Sequence, residues 1–192
     1  IYDKLSVENK QFLSKKYIDF AIKLKKEDKI KKALLHYLEK DPLMKEESSL
    51  KEKADKYLKS DDEKFEIQKF TTDYYLEKFD YTDGIKFVDK EIESYEKTIK
   101  KSENKKLIVK YNKYINELKL YKVQLLYSNR EYKKSLEIFD DLFDIKEILK
   151  DENYLVWYLK NIYKQNNIEK YELFYKNKKD YFKKHSEEAD YL

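Results

Sequence analysis

The sequence predicts an all-α fold, with about eight or nine helices in a single domain over residues 1–192. Glycine and proline occur once each, as Gly84 and Pro42, whereas an all-β fold needs such residues at its many turns. The chain is 43% charged, which is typical of disorder, but it also carries 20 Tyr, 10 Phe and 1 Trp at helical spacing. These rings can supply the buried area of a core. A helix-turn-helix pattern also occurs twice along the chain.

Several helix starts can be read from local signals. Ser60 followed by Glu63 forms a capping box, and Asp41 before Pro42 combines an N-cap with a first-turn proline. Asp151 and its acidic neighbour place negative charge at another helix start. The periodic apolar segments between these signals predict helices near 6–26, 29–40, 42–59, 62–79, 82–101, 104–128, 131–149, 152–165 and 167–184.

The repeated pattern is clearest in the segments 75–92 and 126–143, where Gly84 aligns with Ser135, 51 residues later. Stepping back by 51 residues from Gly84 places Ala33 at the same position of an earlier copy. A small residue early in a second helix lets two helices cross closely, because a large side chain would hold them apart. We therefore expect Ala33, Gly84 and Ser135 to be repeat-packing positions.

Tyr17, Phe20, Ala21 and Leu24 follow the order large, large, small, large of a repeat's first helix. With the repeated second helix, this pattern resembles the tetratricopeptide repeat, a helix-turn-helix unit that stacks into arrays. The resemblance implies antiparallel helix pairs over approximately 6–40, 62–101, 104–149 and 152–184, with an extra helix near 42–59.

A second architecture is also compatible with the sequence. A stripe of apolar residues with alternating spacings of four and three is typical of helices packed side by side. The stripe consists of Leu107, Tyr111, Tyr114, Leu118, Tyr121 and Leu125. A spectrin-like bundle of long helices is therefore the alternative to the repeat array.

The sequence lacks the motifs of catalysis and of cofactor binding. One glycine cannot form a phosphate-binding loop, and the absence of Cys excludes thiol nucleophiles and thiolate metal sites. His36 and Glu39 would supply only two metal ligands, and they are better explained as a polar helix face. We therefore expect no enzyme activity, no cofactor and no metal.

The resemblance also suggests where a partner would bind, because the first helices of tetratricopeptide repeats line a groove. At the positions of the family's chaperone-binding clamp stand other residues, among them Ile18 and Ile22, so the resemblance does not imply a chaperone-carboxylate binder. Aromatic residues occupy one equivalent place in three successive first helices, with polar neighbours. The predicted groove residues are Phe70, Tyr121, Trp157, Lys69, Asp73, Gln124 and Lys160.

Two functions are compatible with these features. The first is a non-enzymatic interaction scaffold that binds a peptide or helix of another protein through the aromatic groove. The second is a structural helical domain of a cell-envelope or surface protein. The single Arg, Arg130, argues against nucleic-acid recognition. No apolar run approaches the roughly 20 residues of a membrane span. The chain opens on Ile1, so we expect a soluble fragment or processed form, in either an extracytoplasmic or a cytoplasmic location.

Overall fold

The computed structural model describes residues 7–43, 48–142 and 152–172, and these residues form helices and turns without a strand. The prediction of an all-α fold is therefore confirmed. The helices are α1 (Val7–Lys23), α2 (Glu27–Leu38), α3 (Ser48–Tyr57), α4 (Asp61–Glu77), α5 (Tyr81–Lys101), α6 (Lys105–Ser128), α7 (Tyr132–Leu142) and α8 (Glu152–Lys164). The predicted ends near 149 and 184 lie outside the described residues.

The chain divides into two compact units between Phe79 and Asp80. The division falls inside the predicted helix pair 62–101. Helix α4 belongs to the first unit, where it packs against α2, and α5 belongs to the second unit, where it packs against α6. Helices α1 and α2, which lie within the predicted pair 6–40, pack against each other, as do α6 and α7 in the described part of the predicted pair 104–149.

In the first unit, α2 is the central helix of the described part. A short turn folds it back along α1, and α3 and α4 also pack against it. Its apolar residues recur every three or four positions, which places them on one face of the helix. The core around this face contains Ile18, Ala21, Ile30, Ala33, Leu34, Tyr37, Leu38, Leu50, Ala54 and Leu58.

In the second unit, α6 packs between α5 and α7, and α7 also packs against α8. The predicted stripe on α6 is mainly its buried face, since Tyr111, Tyr114, Leu118 and Leu125 are all buried. Tyr95 of α5 lies 4.9 Å from Tyr111 and 5.5 Å from Tyr114 between ring centroids. The core shared by α6, α7 and α8 contains Val123, Leu136, Phe139, Leu155, Tyr158, Leu159 and Ile162.

The predicted capping box at α4 is present. The Glu63 backbone N–H donates to Ser60 Oγ at 3.2 Å, and the Ser60 N–H donates to Glu63 Oε2 at 2.9 Å. The predicted helix start at Pro42 is wrong, because residues 41–43 are not helical. The Asp41 N–H donates instead to the Tyr37 carbonyl at 3.1 Å, so Asp41 closes the end of α2.

Four turns share a residue in the left-handed conformation. Lys25, Phe79, Arg130 and Asn166 have φ values of 53°, 59°, 64° and 52°. In three of these turns, the next residue donates its N–H to the carbonyl five residues earlier, which is the Schellman arrangement at a helix end. Short helix-to-helix connections are thus made here without glycine.

The turns also show how the copies align. The carbonyl of the residue after each left-handed position accepts the first N–H bond of the following helical segment, from Ile30, Gly84, Ser135 and Tyr171. Tyr171 lies in a helical segment described over residues 168–172. Gly84 and Ser135 therefore hold the same position relative to their turns. In the first copy, Ile30 holds the position of Gly84, and Ala33 lies three residues further along α2. The predicted alignment of Ala33 with Gly84 is therefore shifted by about one helical turn.

Candidate functional site

The three aromatic side chains predicted to line a groove are all partly buried. Phe70, on α4, packs against the core of the first unit. Tyr121 belongs to α6 and Trp157 to α8, both in the second unit, and Trp157 packs against the core there. Phe70 and Trp157 therefore contribute to the packing of their own units.

Trp157 belongs to a small aromatic cluster. Its ring meets that of Tyr127 edge to face, with 5.3 Å between centroids, and Tyr127 meets Tyr132 in the same way at 5.2 Å. Lys160 Nζ lies 5.0 Å from the Trp157 ring centroid, a cation–π contact between two of the predicted groove residues. Burial, followed by the neighbouring Tyr132, raises the pKa of the Tyr127 hydroxyl. Neither Tyr127 nor Tyr132 is among the predicted groove residues.

The predicted polar residues on α4 are engaged with neighbours on the same helix. Lys69 Nζ lies 2.7 Å from Glu66 Oε2 and 5.6 Å from the Phe65 ring centroid. Burial, followed by the charge of Glu77, raises the pKa of the Asp73 carboxyl. Phe70 and Asp73 line one groove of about 340 Å³ beside the end of α2. In the second unit, Gln124 is half-buried on α6.

The three small residues are all buried. The clearest contact is that of Ser135, whose hydroxyl on α7 donates to the Val123 carbonyl of α6 at 2.9 Å. This bond needs the two helices to approach closely. Gly84 is buried near the start of α5, and Ala33 lies at the boundary between α1 and α2.

A different surface, on α1, carries the largest set of exposed apolar side chains among the described residues. Leu13, Tyr17, Phe20 and Leu24, called here the α1 row, follow one another at spacings of four, three and four. Phe20 is 56% exposed. Leu24 continues the helical path, because its N–H donates to the Phe20 carbonyl at 3.0 Å. Such spacing places the four side chains along one face.

The α1 row corrects the placement taken from the tetratricopeptide resemblance. Ile18, which stands at a groove position of the family, is 0% exposed, and Ile22 packs partly against the core. Tyr17, Phe20 and Leu24 were matched to the family's packing pattern, but their side chains face outward. Helix α1 buries the face that carries Ile18 and Ala21 against α2. Tyr17, Phe20 and Leu24 lie on another face and therefore point away from the core.

A concave surface adjoins the α1 row. A groove of about 560 Å³ lies between α1 and α2, lined by Leu13, Ser14, Tyr17, Lys32, Ala33 and His36. Ala33 ends at its Cβ, so the α2 side of the groove stays open. His36 Nδ1 lies 3.4 Å from Glu39 Oε2, consistent with the polar-face explanation of this pair.

The charges around the α1 row are mostly positive. Lys16 Nζ lies 5.4 Å from the ring centroid of Phe12, another exposed residue of α1. Lys16, Lys23 and Lys32 form no ion pair with any described residue. Asp19, in contrast, is held by Lys53 of α3 at 2.9 Å.

The described residues were compared with the requirements of a metal site and of a membrane-spanning helix. No cluster of three or more potential metal ligands occurs among these residues. None of their helices combines the length and the apolar character needed to cross a membrane. Comparison of the chain with protein-family models, with curated proteins and with solved structures finds no match.

Proposed function

We propose that this chain is a non-enzymatic interaction scaffold, built from tetratricopeptide-like helix pairs, that binds a helix of a partner protein. The observation that supports the proposal is the α1 row. Exposed single apolar residues are ordinary on protein surfaces, but several on one helix face are typical of an interaction site. The row includes two aromatic rings, Tyr17 and Phe20, a residue type enriched at the energetic centres of interfaces.

A helix is the partner structure that fits the row best. The 4-3-4 spacing from Leu13 to Leu24 matches the apolar spacing of a second helix lying alongside. The groove beside the row is open at Ala33, which gives room for side chains of such a helix. This arrangement is a helix-in-groove mode, in which the apolar anchors carry most of the binding free energy.

The aromatic strip predicted from the sequence has a smaller part in this proposal. Phe70 and Trp157 already pack against the cores of their units, which supports a structural role for both rings. Their remaining exposed edges would extend a surface rather than anchor a partner. The four residues of the α1 row are instead 43–56% exposed.

The proposal is tested with a labelled helical peptide that carries leucines at 4-3-4 spacing and glutamines at its other exposed positions. We expect the peptide to bind the chain, as measured by fluorescence anisotropy, and a scrambled peptide not to bind. The double variant Tyr17→Ser, Phe20→Ser should weaken binding by about tenfold or more, because the loss of both aromatic contacts together costs more than about 1.4 kcal/mol.

The matched control is Val109→Ser, which removes an apolar side chain that is 70% exposed on α6 of the second unit. This variant should bind like the unchanged chain. Circular dichroism should show the same helix content for all variants, because the substituted side chains are exposed. Equal binding by the double variant and the unchanged chain would refute the assignment of the site to α1.

A further inference from the structure

We infer that the helix bound along α1 is acidic: an amphipathic helix with apolar residues on one face and Asp or Glu on both flanks of that face. This inference rests on the proposed function and adds the chemistry of the partner. The apolar side chains of the α1 row do not indicate the charge of the partner. The charged residues around the row do, and they support this inference.

Lysines flank the α1 row on both sides. Lys16 and Lys23 project from α1 itself, and Lys32 lines the groove from α2. Since none of the three is paired with a described carboxylate, their charges are available to a ligand. A helix that lies on the row would bring its own flanking residues near these three ammonium groups.

Three carboxylates on these helices, those of Asp19, Glu27 and Glu39, are already paired with other lysines. Asp19 is paired with Lys53 at 2.9 Å, and Glu27 lies 3.4 Å from Lys31. Glu39 lies 2.9 Å from Lys40. The pKa of the Glu39 carboxyl is lowered, and the largest cause is the hydrogen bond from Lys40. The surface around the row therefore favours negative charge on its ligand.

The same charges argue against a second copy of this chain as the occupant. Two α1 rows packed on each other would place their lysines side by side, and like charges at an interface are repulsive. The concave shape of the groove between α1 and α2 also favours a helix over a flat anionic membrane. A membrane surface would contact the outer edge of the row and leave the groove at Ala33 empty.

The test compares three peptides with the same 4-3-4 leucine face and with Glu, Gln or Lys at the flanking positions. We expect the Glu peptide to bind at least about tenfold more tightly than the Lys peptide, with the Gln peptide between them. Three attractive charge pairs with the Glu peptide, replaced by three repulsive ones with the Lys peptide, suffice for this difference. Raising the salt concentration from about 0.05 M to about 0.5 M should reduce the difference, because salt screens exposed charges.

Charge reversal identifies the lysines responsible. The variant Lys16→Glu, Lys23→Glu, Lys32→Glu should prefer the Lys peptide over the Glu peptide. The control variant Lys64→Glu, Lys90→Glu, Lys133→Glu changes the net charge by the same amount at exposed positions elsewhere. It should keep the original order of the three peptides.

The possible failures are distinguishable. Equal binding of all three peptides would overturn the acidic partner and leave the interaction scaffold standing, whereas binding of none would overturn both. Two further measurements test the other occupants. Lysine-dependent and Phe20-dependent binding to phosphatidylserine vesicles would overturn the inference in favour of a membrane. A dimer in sedimentation analysis that Phe20→Ser dissociates would overturn it in favour of a second copy.

Discussion

The hydroxyl of Ser135 on α7 donates a hydrogen bond to the backbone carbonyl of Val123 on α6 at 2.9 Å. Ser135 is fully buried, so the bond is shielded from water and the two helices are held close together. Ser135 is the fourth residue of α7, and its small side chain allows α6 and α7 to pack closely.

The first prediction concerns this contact. Ser135→Ala should lower the free energy of unfolding by about 1 kcal/mol, the typical net value of one hydrogen bond. Ser135→Leu should cost more, about 1–3 kcal/mol from overpacking in addition to the lost bond, because the larger side chain would force the helices apart. Urea unfolding measures both. Ser94→Ala, at an exposed position of α5, is the control and should change stability by less than about 0.5 kcal/mol. A neutral Ser135→Leu would contradict the close approach.

A second prediction concerns Arg130, which ends α6 with a φ of 64°. A residue other than glycine pays about 1–2 kcal/mol in this conformation. Arg130→Gly should relieve this cost, and the extra flexibility of the unfolded chain should offset part of the gain. We expect a net stabilisation of about 0.5–1 kcal/mol in urea unfolding. Arg130→Ala removes the charge without relieving the backbone, so a similar gain in that variant would rule out the conformational explanation.

A third prediction concerns alkaline pH. Burial, followed by the charge and hydrogen bonding of Asp41, raises the pKa of the Tyr37 hydroxyl from 10.0 to about 12. Lys15 Nζ lies 5.9 Å from the Tyr37 ring centroid. The folded chain holds the proton of the Tyr37 hydroxyl more tightly than the unfolded chain does. The contribution of this hydroxyl to the free energy of unfolding is therefore complete below pH 10. It is lost as the pH rises from about 10 to about 12, by on the order of 2 kcal/mol.

The pH dependence of stability in Tyr37→Phe checks this. The variant should lose less stability between pH 10 and 12 than the unchanged chain does. Tyr163→Phe, which replaces an exposed tyrosine of α8, should keep the original slope. If both variants had the same slope, Tyr37 would not be the group responsible.

A fourth prediction concerns Asn161, a fully buried side chain on α8. Its Nδ2 donates to the Trp157 carbonyl at 2.8 Å, but its Oδ1 receives no hydrogen bond from the described residues. A buried acceptor without a donor costs about 1–3 kcal/mol. Asn161→Leu has a similar volume and no such acceptor, so it should stabilise the chain by about 1–2 kcal/mol in thermal unfolding. A loss of stability in Asn161→Leu would instead indicate that the amide oxygen has a donor.

A fifth prediction concerns Trp157, whose fluorescence is specific because it is the only tryptophan. Its ring is half-buried between the core of the second unit, Tyr127 and Lys160. The native emission should be blue-shifted from that of the urea-unfolded chain, with acrylamide quenching that is reduced but not abolished. Emission identical to that of the unfolded chain would show that the ring is fully exposed, as the aromatic-groove hypothesis requires.

Local signals were the most predictable part of this fold. The Ser60–Glu63 capping box depends on residues three positions apart, so the sequence contains all of its determinants. The start of α3 was missed because Asp41 has two possible roles, as the cap of a following helix or as the close of α2. The hydrogen bond to Tyr37 selects the second role, and it depends on the preceding helix.

The α1 row was not predictable because α1 is apolar around much of its circumference. Leu13, Tyr17 and Phe20 would suit a core as well as Ile18 and Ala21 do. Which side becomes buried depends on where α2 packs, and a single sequence carries little information on that contact. The alignment of Ala33 with Gly84 failed for a related reason, since a fixed spacing of 51 residues assumes turns at equal intervals.

The left-handed turn residues have a consequence for how such a chain can evolve. Four side chains as different as those of Lys25, Phe79, Arg130 and Asn166 occupy the same backbone conformation. The turn therefore accepts side chains of different chemistry, although each residue other than glycine costs about 1–2 kcal/mol in this backbone conformation. An ancestral glycine could be replaced many times while the helix pairs remained. In such a lineage the architecture would outlast the sequence pattern that first encoded it.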